Sequence, residues 1–109
     1  MFLHDIVTEA SDITEFIGRK TFIDFVGDRM TMKAVTHCLD SIGEASKHIP
    51  ETVKRRHPQI EWKKISGFRD FATHHYWELD YGIIWDIAKN HLPKLLAVVK
   101  EELKRLAPP

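Results

Sequence analysis

Apolar residues recur along this chain at the spacing of an α-helix, and no stretch alternates apolar and polar positions for long enough to form a strand. Leu3, Ile6, Val7, Ala10, Ile13 and Ile17 make one stripe, which predicts an amphipathic helix ending near Gly18. Residues 21–26 are too densely apolar to show a period. Asp28 then offers an N-cap to a second stripe, Met32, Val35, Leu39, Ile42, Ala45 and Ile49, which Pro50 closes. Within it, Gly43, Ala45 and Ser46 are small enough to let a neighbouring helix come close. Residues 50–60 carry two prolines and the basic run Lys54-Arg55-Arg56-His57, so they read as a connection holding one short helical turn. Trp62, Ile65 and Phe68 begin a third pattern, which Gly67 is placed to interrupt. A last one passes through Ile83, Ile84, Ile87, Leu92, Leu95, Leu96, Val99, Leu103 and Leu106, where Pro93 either kinks a helix or opens a new one. Only Ala107-Pro108-Pro109 reads as a tail. The expected fold is all-α, an antiparallel bundle of four to five helices, and 109 residues leave room for one domain spanning 1–109.

Between the third and last patterns lies FRDFATHHYW, residues 68–77, where polar heads crowd among aromatic rings. The spacing is Arg69-x4-His74-x-Tyr76. Arginine brings a permanently charged planar fork that suits phosphate oxygens, and histidine exchanges a proton near neutral pH. Those are the capacities needed to drive a ribose 2′-hydroxyl onto the neighbouring phosphodiester without a metal, histidine as acid or base and arginine against the charge that builds on phosphorus. On a regular helix Arg69 and Tyr76 share a face, whereas Arg69 and His74 lie about 140° apart. A site using both therefore calls for an irregular backbone near Gly67–Asp70 or for a second copy of the chain across a two-fold axis, and the second is the expectation. The plainer reading of such a cluster is a buried or interfacial hydrogen-bond network.

Other features weigh less. His74 and His75 are adjacent and point apart on a helix, and the remaining histidines lack ligand spacing, so no metal site and no cofactor are expected. Cys38 sits inside the second stripe and reads as a packed thiol rather than a nucleophile. Lys54, Arg55 and Arg56, with Lys63 and Lys64, could steer RNA phosphate, although short charge runs are usually solvated surface. Trp77, Tyr81 and Trp85 recur every four residues and read as core or dimer packing before base stacking. Sixteen basic residues balance sixteen acidic ones, so overall charge gives no pull toward nucleic acid or an anionic membrane. No apolar run is long enough to span a bilayer, no leader opens the chain, and one cysteine forms no internal disulfide; a cytoplasmic protein without membrane contact is the expectation.

The segment ISGFRDFATHHYWELDYGIIWDIAKNHLPKLL, preceded by SIGEASKHIPE and by Pro58-Gln59-Ile60-Glu61-Trp62, closely resembles the HepT-type toxins of the HEPN superfamily over nearly the whole chain. Its most specific part is Arg69-x4-His74-x-Tyr76, supported by Gly43-Glu44-Ala45 upstream and by Trp85 and Leu92-Pro93 downstream. The resemblance implies a dimeric HEPN bundle with the motifs gathered in a cleft between protomers, and metal-independent RNA cleavage by Arg69 and His74. It also implies an antitoxin partner, a minimal nucleotidyltransferase of the MntA type, which uses ATP and magnesium to attach AMP to Tyr76. Bulk and negative charge placed there would block the site and weaken its attraction for RNA. One position departs from the pattern: Asp70 stands where the family commonly has asparagine, and its carboxylate is placed either to compete for Arg69 or to orient His74. Two other readings stay open: an inactive HEPN dimer that serves only as partner and substrate of the nucleotidyltransferase, and a plain structural dimer.

Overall fold

The computed structural model describes residues 2–67 and 81–106, and every regular element among them is helical. Helix α1 spans Phe2–Ile17 and buries Leu3, Ile6, Ala10, Ile13 and Ile17, the stripe the spacing predicts. Gly18 ends it at φ 51°, a left-handed conformation that side chains with a Cβ rarely adopt. The dense stretch after it is a short helix, α2 (Phe22–Val26), started by a capping box in which Thr21 and Asp24 each bond the other's backbone N–H. Helix α3 (Arg29–Lys47) is capped by Asp28, whose carboxylate accepts from the Thr31 N–H at 3.0 Å and from its hydroxyl at 2.7 Å.

Helices α1 and α3 lie antiparallel along their length: Phe2 at the start of one stacks on His48 just past the end of the other, ring centroids 4.3 Å apart. A short helix α4 (Glu51–Arg56) supplies the helical turn expected in the connection, and residues 62–67 form α5. After the stretch that is not described, α6 (Tyr81–Asp86), a π-turn (Ile87–His91) and α7 (Leu92–Leu106) follow one another without a break.

The π-turn answers the question Pro93 raises. Proline has no N–H to give the carbonyl four residues back, and just before it the ladder has already widened, the Leu92 N–H reaching Ile87 O. Helical backbone runs on through this turn, and Pro93 stands in the first turn of α7. The wide turn keeps Ile84, Ala88, Leu92, Leu95 and Val99 in one buried line, which packs with α1 and α3 in a common core. Phe25 of α2, completely buried, closes one end of that core against Tyr81 and Trp85, with ring centroids 5.8 and 5.3 Å away. No helix of the described residues is long and apolar enough to cross a membrane.

Candidate functional site

Arg69, Asp70, His74 and Tyr76 all fall within residues 68–80, outside the described residues. What the structure defines is the frame that holds both ends of that segment. On the entry side, Ile60 and Trp62 are buried, the Trp62 indole N–H donates to His57 O at 3.0 Å, and the Ser66 hydroxyl meets the fully buried Ser46 hydroxyl of α3 at 3.0 Å. On the exit side, Tyr81 and Trp85 close on Phe25 and Ile84 is fully buried. The aromatic residues at four-residue spacing thus serve packing at these two positions; Trp77 lies outside the described residues.

Between the two ends opens a cavity of about 610 Å³. Its floor is aliphatic, from Leu39 and Ile42 of α3, Ile60 and Ile65 around the entry, Ile87 of the π-turn and Leu92 of α7. Gln59, Glu61, Lys64, Asp86, His91 and Lys94 supply its polar groups. Glu61 pairs with Lys64 at 3.4 Å. Asp86 accepts from the Asn90 amide at 2.6 Å and meets His91 Nε2 at 3.2 Å, and these bonds, the Asn90 one foremost, hold its carboxyl below the usual range. The π-turn makes the Asp86 to His91 approach, five residues apart, a natural one. Lys94 makes no ion pair among the described residues. Motif reading does not find this cavity, because its polar residues follow no spacing and come from two separate stretches of chain, 59–64 and 86–94.

The basic run divides. Arg55 is exposed and Lys54 half-buried, but Arg56 is engaged: Nε and Nη2 donate to the two carboxylate oxygens of Glu102 at 3.0 and 2.8 Å. His57, buried beside it, donates from Nε2 to the same carboxylate at 2.7 Å. Arg56, itself exposed, therefore fastens the connection to α7 by turning its fork toward the buried Glu102. The Arg56 bond, then the His57 bond, depress Glu102 to about 2 against the desolvation that opposes them.

Cys38 is buried, as its place in the stripe predicts, and its thiol is pushed up to about 12, first by burial and then by a hydrogen bond to Glu9. Glu9 and Asp12 of α1 bring carboxylate oxygens within 4.8 Å of its sulfur and of each other, an arrangement the sequence reading missed. Glu9 and Asp12 lie one helical turn apart on the flank of the α1 stripe, which is the signal that would have placed them beside α3. With the thiol protonated, the group is a polar seam between α1 and α3 rather than a nucleophile.

Comparison with known proteins adds identity of descent to this frame. A family model described as "Ribonuclease HepT-like" matches residues 6–102. A protein of Methanocaldococcus jannaschii, provisionally named an RNase, is 41% identical over 103 residues, covering 94% of this chain and 85% of its own. A Thermococcus cleftensis protein provisionally named ribonuclease HepT is 39% identical over 94 residues, or 86% of each chain. A third relative, from Caldanaerobacter subterraneus and also provisionally named an RNase, is 35% identical over 95% of this chain and 93% of its own. No solved structure gives a significant match.

Proposed function

The chain belongs to the HepT-like ribonuclease family, and from that membership we propose that it is a metal-independent endoribonuclease and the toxin of a toxin–antitoxin pair, working as a homodimer. The observation that carries the reading is the family match across residues 6–102, which contains Arg69-x4-His74-x-Tyr76 whole. The contacts at its two flanks, Ser66 on Ser46 of α3 and Tyr81 on Phe25 of α2, support it by tying the flanking residues to the core.

The chemistry follows from the residue types. His74 takes the proton of a ribose 2′-hydroxyl, the 2′-oxygen bonds to the adjacent phosphorus, and the bond to the 5′-oxygen breaks as that oxygen takes a proton from water, leaving a cyclic phosphate and a 5′-hydroxyl. Arg69 offsets the charge that gathers on the phosphoryl oxygens. Tyr76 positions substrate and takes the regulatory mark: its phenolic oxygen bonds to the α-phosphorus of ATP in the active site of an MntA-type nucleotidyltransferase, and pyrophosphate leaves. The adduct sets a phosphate beside Arg69 and His74 and closes the site to RNA.

His74→Ala should abolish RNA cleavage while leaving the helical circular-dichroism signal unchanged, and wild-type cleavage should persist in excess chelator. A folded His74→Ala chain that still cuts RNA would remove histidine from the mechanism. Intact mass after co-expression with the nucleotidyltransferase should show one added AMP, absent from Tyr76→Phe. The second reading, an inactive partner and substrate of the nucleotidyltransferase, is favoured by Asp70, a carboxylate beside the arginine that RNA needs. It predicts the AMP adduct without cleavage by the unmodified chain, and Asp70→Asn then distinguishes a silenced site from one that never acted.

A further inference from the structure

We propose that the cavity walled by α3, residues 59–65 and the π-turn is a nucleotide subsite, which takes one base of the RNA beside the scissile phosphate with that nucleotide's phosphate on Lys94. The inference rests on the ribonuclease reading and adds to it where the substrate is gripped. A volume of about 610 Å³ lies within the range of small-molecule pockets. Its aliphatic floor, Leu39, Ile42, Ile60, Ile65, Ile87 and Leu92, suits the flat apolar face of a base.

Charge selects the occupant. Each carboxylate at the rim already has a cation or proton donor, Glu61 with Lys64 and Asp86 with His91 and Asn90. Lys94 remains as the uncompensated charge among the described lining residues, exposed at the mouth. A nucleotide suits both polar groups, its base edge on the Gln59 amide and its phosphate on the Lys94 ammonium, whereas an apolar peptide side chain would use neither. Continuity points the same way. Apart from Leu39 and Ile42, the walls are built by residues 59–65 and 82–94, which flank the Arg69–Tyr76 segment on both sides in the sequence.

The test uses the full chain with His74→Ala as a non-cleaving parent and four fluorescent RNA oligonucleotides that differ in the base on either side of one site. Lys94→Glu, and Ile65→Trp as a plug, should each weaken binding about tenfold or more. Lys100→Glu, the same charge change outside the cavity, should alter it by less than about threefold. The plug should also flatten the preference among bases. Because Ile65→Trp alters a packed residue, its melting curve is compared with the parent, and Lys94→Glu, on an exposed residue, reports independently of folding. Titration of the wild type with AMP, CMP, GMP and UMP should shift the amide resonances of Ile65 and Ile87. RNA binding unchanged by both substitutions, with cleavage intact in the wild type, would overturn the subsite and leave the nuclease standing. Shifts with mononucleotides but no cleavage would keep the subsite and remove the nuclease. A loss of dimer mass on plugging, with RNA binding retained, would make the cavity an interface between copies and overturn the proposal.

Discussion

Glu102 remains a carboxylate in the interior because two donors reach it from a segment 45 or so residues away, Arg56 in a two-pronged contact and His57 behind it. Removing Glu102 leaves the buried His57 N–H without its acceptor, while the exposed Arg56 turns to water, so Glu102→Ala should destabilise the fold by about 1–3 kcal/mol, read from urea denaturation. The pH dependence has a definite sign. The folded carboxyl titrates at about 2, below its ordinary 4.5, so between those values the unfolded chain holds more protons. Glu102 thus contributes its full stabilisation above about pH 4.5 and loses it as pH falls toward 2. Glu102→Gln should flatten that acid limb of the urea midpoint against pH; an unchanged limb would show that the carboxylate does not hold the network. At Cys38 the thiol near 12 predicts almost no reaction with a disulfide reagent at about pH 8 until the chain unfolds. The role of Arg56 was not legible from its neighbours, which read as a basic patch. The signal lay at the other end of the chain, where Glu102 follows the buried Leu95, Val98 and Val99 at helical spacing, a place that an acid holds only with a partner.

At the scale of elements, period made the helices legible. Leu3 to Ile17 and Met32 to Ile49 are buried where the spacing puts them, because an amphipathic stripe has one way to meet a core. Short and irregular pieces were harder. Helix α2 shows no period in five residues and is announced instead by Thr21 and Asp24, a box that needs both ends read together. The π-turn before Pro93 leaves only the five-residue step from Ile87 to Leu92 as its mark, too short a signal to be told from an ordinary gap in the stripe. Gly18 gives the sharpest prediction for an element boundary. A Cβ there would approach Glu15 O to 3.5 Å, an ordinary contact, so Gly18→Ala acts through the left-handed backbone and not through crowding. The expected cost is about 1 kcal/mol, seen as a lower urea midpoint with an unchanged slope. A neutral result would mean that the turn into α2 relaxes to another conformation.

At the scale of the whole molecule, the dimer is the expectation that joins the motif to its chemistry, since a regular helix would hold Arg69 and His74 about 140° apart and a two-fold axis offers the missing partner from the second chain. Such a composite site makes a prediction that no single-chain site shares. Arg69→Ala and His74→Ala homodimers should each be inactive. Mixed by refolding, they form heterodimers in which one cleft receives the intact arginine of one chain and the intact histidine of the other, while the second cleft receives neither. RNA cleavage should then return in the mixture, in proportion to the heterodimer isolated on two affinity tags, and reach at most about half the wild-type rate per dimer. If each protomer instead brings its own arginine and histidine to one phosphate, every cleft in the heterodimer lacks one group and the mixture stays silent. The rate of tagged heterodimer thus distinguishes a site shared between chains from one that the backbone around 68–80 completes within a single chain.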